Sequence, residues 1–299
     1  MNYKNITIAG SGVLGSQIAF QTAFKGFNVS VYDINNEAIG KAKERITSLK
    51  ARYQEDLEAS IKEVNNAYDR ITFYTNLEEA VADADLVIEA IPEVIDIKTN
   101  FYKELAKVAP DKTVFATNSS TLLPSQFAEV TGRPEKFLAL HFANEIWKNN
   151  TGEVMKHPGT NMKYFDEVIA FAKAIGMVPL PLYKEQPGYI LNSLLVPLLD
   201  AAQSLLVKEV SDVETIDKTW MIGTGAPLGP FAILDVVGIT TAYNITLAKA
   251  KATGNPEYQK VADVLKKEYI DKGKLGRETG EGFYKYPNPN FMKPDFLKG

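Results

Sequence analysis

The chain has 299 residues, 45% of them apolar and 23% charged, with a formal net charge of -4. That length allows two domains and a substantial core, and the composition is that of an ordinary soluble globular protein. The charge gives no global positive field, so neither nucleic acid nor an anionic membrane is an expected partner, and the absence of cysteine excludes disulfides, thiolate nucleophiles and cysteine-ligated metals.

Residues 6–15 read ITIAGSGVLG, a β-branched apolar run followed by a G-x-G-x-x-G turn and then a helical pattern over 16–24. Gly10 would allow the tight strand-to-helix turn, Gly12 would let the backbone approach a pyrophosphate, and Gly15 would let helix pack closely on strand. Val13 and Leu14 lie between them, where the helix N-terminus would face the phosphates. The first strand begins within five residues, with no basic region leading a long apolar stretch, so neither a signal peptide nor a membrane anchor is expected. With cysteine absent, a cytoplasmic protein is expected. A second strand over 28–32 ends in Asp33, whose carboxylate would bind the adenosine ribose hydroxyls and repel a 2'-phosphate. The expected cofactor is therefore NAD, and no metal site is expected.

Residues 35–69 are rich in Lys, Glu and Ala and predict two helices projecting from the sheet domain. Their basic residues Lys41, Lys43, Arg45, Lys50 and Arg52 read as a solvated face or as a patch for a phosphorylated ligand. Further β-rich runs at 71–74, 86–91, 113–116, 137–141 and 177–182 alternate with helix-length amphipathic segments. Such alternation predicts an α/β fold, a Rossmann-type doubly wound and mostly parallel sheet. Glu185, Gln186, Pro187 and Gly188 mark a break. The expected domains are a nucleotide-binding domain over 1–186 and an all-helical C-terminal domain over 187–299. Residues 190–207 are apolar on several faces, as in a helix buried in its domain or in a subunit interface. Helical patterns follow at 213–221, 231–251 and 258–272.

Oxidation of an alcohol by NAD needs a base for the hydroxyl proton, and this chain has two histidines. His141 ends a strand at the carboxyl edge of the sheet, whereas His157 precedes Pro158 and Gly159 in a turn and reads as structural. Glu153 lies in a second short apolar segment that could pair beside His141. A carboxylate on the far ring nitrogen would fix the tautomer and stabilise the imidazolium.

Several well-separated segments resemble the L-3-hydroxyacyl-CoA dehydrogenase family along nearly the full length. They are ALHFAN at 139–144, Glu153 at the family's spacing from His141, TNSSTL at 117–122, PEVIDIK at 92–98, PGYILNSLL at 187–195, GAPLGPFAILDVVG at 225–238 and TGEGFYKY at 279–286. The resemblance implies His141 as base, Glu153 as its orienting partner, Ser120 and Asn192 as residues that hold the substrate oxygen, and Asn144 as an aid to substrate positioning. It places Glu93 and Lys98 at the nicotinamide ribose. From the residues alone, Ser120 also reads as a helix cap, Asn192 as a buried polar group, and Glu93 with Lys98 as an exposed pair. The implied activity is reversible oxidation of a short-chain L-3-hydroxyacyl-CoA in fatty acid metabolism, by a homodimer whose site lies in the cleft between the domains. Alternatives are the same chemistry on a carnitine-like compound or free hydroxy acid, and a non-catalytic NAD(H)-binding protein. Ala143 and Glu145 depart from the family's pattern. They are expected to open volume beside the base and to set a second carboxylate near the substrate, disfavouring free acids such as acetoacetate.

Overall fold

The computed structural model describes residues 3–298. Contacts divide the chain into two compact units that part between Leu191 and Asn192. The first unit contains, in chain order, β1 (Asn5–Ala9), α1 (Val13–Phe24), β2 (Asn28–Tyr32), α2 (Asn36–Leu57), α3 (Ile61–Asp69), β3 (Ile71–Tyr74), α4 (Leu77–Val81), β4 (Leu86–Glu89), α5 (Ile95–Val108), β5 (Val114–Thr117), β6 (Phe137–Phe142), β7 (Thr151–Met155), α6 (Met162–Ala174) and β8 (Val178–Leu182). Among the described residues eight strands form one sheet in the order β3-β2-β1-β4-β5-β6-β7-β8. Every neighbouring pair is parallel except β6 with β7. The strand order reverses at β1 and β4, the topological switch point at which doubly wound sheets bind ligands. Pro179 and Pro181 are tolerated in β8 because it is an edge strand.

Alternation along the strands sorts the side chains between two cores. Ile6, Ile8, Leu86, Ile88, Val114, Ala116, Leu138 and Leu140 pack with α1, α2, α3 and α6, whereas Val87, Phe115 and Phe137 pack with α4 and α5. By the same period Glu89, Thr117 and His141 fall on the α5 side. The α2–α3 pair does not project from the sheet, as the sequence suggested, but packs on α1. Tyr53 of α2 is fully buried, meets Phe20 edge-on at 4.8 Å and donates to Gln21 at 2.5 Å. The apolar stripe Ile39, Ile46, Leu49 and Tyr53 is wide enough to require a covering partner.

The second unit is helical. It contains most of α7 (Tyr189–Val207), then α8 (Val213–Thr224), α9 (Pro230–Val237), α10 (Ile239–Thr253) and α11 (Pro256–Val264). The helix predicted over 231–251 is two helices bent by 100°, because Gly238 adopts φ +92° and serves as the end of one and the start of the other. The pattern over 258–272 is also interrupted: α11 ends at Val264, and wider and tighter turns carry the chain to Gly273. By length and composition α7 could cross a membrane, yet it carries Asp200, which pairs with Lys249 of α10, and its Leu199, Ala202 and Val207 join the core of this unit.

Two buried carboxylates hold the unit together. Asp217 of α8 accepts from the amides of Phe231 and Ala232 at 2.9 and 3.0 Å and from the Tyr284 hydroxyl at 2.9 Å. Asp235 of α9 accepts from the amides of Phe283 and Tyr284 at 2.8 and 2.9 Å and from the Tyr286 hydroxyl at 3.0 Å. Gly229 and Gly282 make room for them, since a Cβ would lie 2.2 Å from the Asp217 carboxyl carbon and 2.0 Å from an Asp235 oxygen. The two late sequence signatures therefore meet in carboxylate clamps, one on the unpaired first-turn amides of α9 and one on the loop at Phe283 and Tyr284. An Asp235→Asn variant would turn an acceptor into a donor facing buried donors. It is expected to lose about 2–4 kcal/mol of stability. Urea unfolding followed by Trp220 fluorescence, with Trp147 changed to Phe so that only the helical unit reports, checks this.

Candidate active site

The cofactor side is built by backbone. Gly10 sits at φ +94°, where a Cβ would lie 2.5 Å from the Ala90 carbonyl, and a Cβ on Gly15 would lie 2.0 Å from the Gly10 carbonyl. Only glycine lets β1, β4 and α1 approach so closely. Gly12 has open space instead. Helix α1 carries neither a side-chain cap nor an acidic residue in its first turn, leaving its positive end to an anion. Beside it lies a cleft of about 670 Å³ bordered by Gly10, Gly12, Asp33 and Ile91, and an adjoining one of about 400 Å³ bordered by Val13, Leu14, Glu93, Lys98 and Ser120. Asp33 is held in place by the Ser11 amide and hydroxyl at 2.8 and 2.5 Å and by the Ile34 amide at 2.8 Å. Two carboxylate oxygens offer about four acceptor positions, and these three bonds leave about one, on Oδ1, for a ribose hydroxyl. The glycine cradle, the free helix end and the acceptor at the head of β2 fit a dinucleotide.

Glu93 and Lys98 are not an exposed pair. Lys98 is 1% exposed, with its ammonium 2.5 Å from Glu89 and 3.2 Å from Glu93. Glu93 accepts from the Ser119 hydroxyl and from the amides of Ser120, Thr121 and Leu122 at 3.1, 2.9 and 3.3 Å. Burial alone would raise its pKa, but the bonds from Ser119 and Thr121 and the Lys98 charge hold it down at about 2. Glu93 thus clamps the loop after β5 that carries Ser120.

On the substrate side, the antiparallel register sets His141 of β6 directly opposite Glu153 of β7. His141 Nδ1 lies 3.1 Å from Glu153 Oε2, and His141 Nε2 lies 3.1 Å from Ser120 Oγ. The other oxygen of Glu153 accepts from the Ile190 and Leu191 amides at 3.0 and 3.1 Å. Burial pushes the Glu153 pKa upward, but His141 and these amides outweigh it and hold the carboxyl below its usual range. An ionised Glu153 can only accept, so Nδ1 carries the proton and Nε2 of the neutral ring presents a lone pair to the Ser120 hydroxyl. Such a ring can take a proton at Nε2 and spread the resulting charge to Glu153.

Two residues that the sequence reading left without a role complete this arrangement. Tyr189 stacks on His141, ring centroids 4.4 Å apart at 15°, and donates its hydroxyl to the Ser119 carbonyl at 2.7 Å. Burial, then the nearby Glu153, raises its pKa, so it remains a neutral phenol. Asn118 accepts from the Phe142 amide at 3.0 Å and fixes the end of β6. His157 is structural, with Nε2 bonded to the Pro134 carbonyl at 2.9 Å and Nδ1 accepting from the Gly159 amide at 3.1 Å. The structure brings Ser120, His141 and Glu153 together. Asn144 lies exposed in the loop after β6, with its carbonyl accepting from Asn149 at 2.8 Å, and Asn192 belongs to the other unit.

Glu145, expected to set a second carboxylate near the substrate, is engaged with α2 instead. Its carboxylate pairs with Arg52 of α2 at 2.5 Å, and Gln17 of α1 accepts from its amide at 2.8 Å. Arg52 also lies over the Trp147 ring at 4.9 Å, and Trp147 donates to Asp56 at 2.8 Å. The divergent segment after the histidine is therefore bound to α1 and α2. This also accounts for part of the basic face of α2, where Lys41 pairs with Glu37 at 2.6 Å.

The 3-hydroxyacyl-CoA dehydrogenase NAD-binding domain matches residues 5–186, and the C-terminal domain of the same family matches residues 188–286. The chain is 35% identical to a mitochondrial hydroxyacyl-coenzyme A dehydrogenase of Homo sapiens, over 95% of this chain and 91% of that one. It is 33% identical to a probable 3-hydroxybutyryl-CoA dehydrogenase of Bacillus subtilis, over 96% of this chain and 98% of the other. Among solved structures, a diketoreductase acting on dicarbonyl compounds superposes with a TM-score of 0.92 at 55% identity, covering 96% of this chain and all of that one. The glycine cradle and the two matched domains lead to one conclusion: the chain belongs to the 3-hydroxyacyl-CoA dehydrogenase family and is an NAD-dependent oxidoreductase.

Proposed function

We propose that this protein interconverts the 3-hydroxy and 3-oxo groups of a short L-3-hydroxyacyl-CoA, of the 3-hydroxybutyryl-CoA kind. The observation that carries the reading is the Ser120–His141–Glu153 relay beside the dinucleotide cleft. Bound NAD supplies the hydride acceptor, or NADH the donor. It would be held by the Gly10–Gly15 turn with Val13 and Leu14, by Asp33, and by Glu93 and Lys98. His141 takes the hydroxyl proton at Nε2, and Glu153 stabilises the imidazolium that forms. In the reverse direction the same nitrogen returns the proton to the oxygen. Ser120 donates to that oxygen and holds it within reach of the base; Asn192 and Asn144 take their positioning roles from the family resemblance. A protein that only bound the dinucleotide would need none of this relay. His141→Gln is expected to lower kcat by about 10² to 10⁴-fold while NADH affinity, read by fluorescence titration, changes little.

A second reading keeps the chemistry and removes the CoA. Two observations favour it: the 55% identity to a structure described for dicarbonyl compounds, and the engagement of Arg52 and Lys41 of α2 with carboxylates of this chain rather than their availability to phosphates. NADH oxidation with acetoacetyl-CoA, an uncharged dicarbonyl ester, free acetoacetate and dehydrocarnitine separates the two. The CoA reading expects kcat/KM for acetoacetyl-CoA to exceed that for the ester by about tenfold or more, which corresponds to at least about 1.4 kcal/mol of added transition-state binding. Equal or reversed values establish the second reading.

The proposed assembly is a homodimer. Helix α7 leaves Ile190, Leu191, Leu194 and Leu205 exposed, an apolar face that favours burial against a second copy. Light scattering is expected to give twice the chain mass of 33.1 kDa.

A further inference from the structure

Glu89 is fully buried at the end of β4, a charged residue inside an otherwise apolar strand. One of its oxygens accepts from Lys98 Nζ at 2.5 Å and from the Ile91 amide at 3.0 Å. The other accepts from the Tyr102 hydroxyl at 2.9 Å and the Thr117 hydroxyl at 2.8 Å. Four donors fill the capacity of a carboxylate. Glu89 therefore has nothing left to offer a ligand, and it can act only through the groups it holds. The group that reaches the cleft is Lys98, which borders it together with Gly12, Asn118 and Ser120.

Burying an ammonium as deeply as that of Lys98 is costly unless a counter-charge accompanies it. Among the described residues, Glu89 from β4 and Glu93 from the segment before α5 pair with it, with Tyr102 of α5 bonded to Glu89 behind them and the neutral phenol of Tyr189 near both carboxylates. Burial, then Glu89, pushes the Tyr102 pKa up, so that side chain adds no charge. Glu93 is half committed elsewhere, since its other oxygen carries the amides of Ser120, Thr121 and Leu122. We infer that Glu89 is a positioning residue: it keeps the Lys98 ammonium charged and fixed between two carboxylates, so that the cofactor end of the site and the Ser120 loop are aligned through Glu93. The inference rests on the proposed placement of Lys98 against the cofactor.

The test is NADH binding, followed by fluorescence from pH 7 to pH 9 in otherwise unmodified protein. Wild type is expected to change little across this range. In Glu89→Gln the ammonium loses its nearest counter-charge, and affinity should drop by about tenfold between pH 7 and pH 9. Thr117→Val removes another Glu89 donor but leaves the charge, so it should lower the melting temperature while affinity remains flat with pH. A pH-independent Glu89→Gln overturns the inference. If that variant does not fold, Glu89→Asp carries the test: the withdrawn carboxylate should weaken NADH several-fold, and unchanged affinity overturns the inference. Lys98→Gln separates the two levels. Unchanged NADH affinity in Lys98→Gln removes the cofactor placement, whereas loss there with a flat Glu89→Gln removes only the role given to Glu89.

Discussion

The antiparallel return of β7 onto β6 is the constraint on which the chemistry depends. In the parallel part of this sheet, neighbouring strands arrive from helices and present their carboxyl ends to ligand, so each contributes what lies at its tip. A strand running the other way presents its interior beside a neighbour's tip. That is how Glu153, in the middle of β7, faces His141, near the end of β6, in direct register. Cross-strand partners on one face approach within about 5 Å at Cβ, a distance that an imidazole and a carboxylate close with a hydrogen bond. No loop is needed to bring the pair together, and the rigidity of the ladder is transferred to the His141–Glu153 geometry.

Burying carboxylates recurs through both units, always with the same compensation. Glu89, Glu153, Asp217 and Asp235 are buried, and each accepts several donors, among them first-turn amides of α7 and α9, which have no partner within their helices, and the loop amides of Ile91, Phe283 and Tyr284. An unpaired charge would be too costly in such places, but one surrounded by donors satisfies helix-start and loop amides that have no other backbone partner. In the first unit these charges organise the site. In the second they fasten the C-terminal loops to α8 and α9.

Local patterns were the legible part of the sequence. The glycine spacing, the alternation of strands and helices, and the strand-end histidine are short-range signals; Gly10 lies in the turn after β1, Asp33 follows β2, and His141 lies near the end of β6 opposite Glu153, whereas Ser120 was singled out only by the family resemblance. Glu89 was visible as a charge within an apolar run, but its meaning depends on Lys98, Tyr102 and Thr117, which come from other elements. The Arg52–Glu145 pair spans 93 positions, and nothing local to either residue announces the other. Gly238 was misread because the apolar pattern continues across it, while the chain turns there for a reason of backbone conformation rather than of hydrophobicity.

The stacking of Tyr189 on His141 has a spectroscopic consequence. A phenol ring lying nearly parallel to the imidazole at 4.4 Å places the imidazole carbon-bound protons inside its shielding cone. Their proton resonances move upfield from the usual imidazole position. The chain has one other histidine, His157, which lies in a turn and has Phe137 tilted against it at 6.2 Å. The two imidazole signals are thereby separated by their aromatic neighbours alone, so the ring paired with Glu153 carries its own label in the unmodified protein.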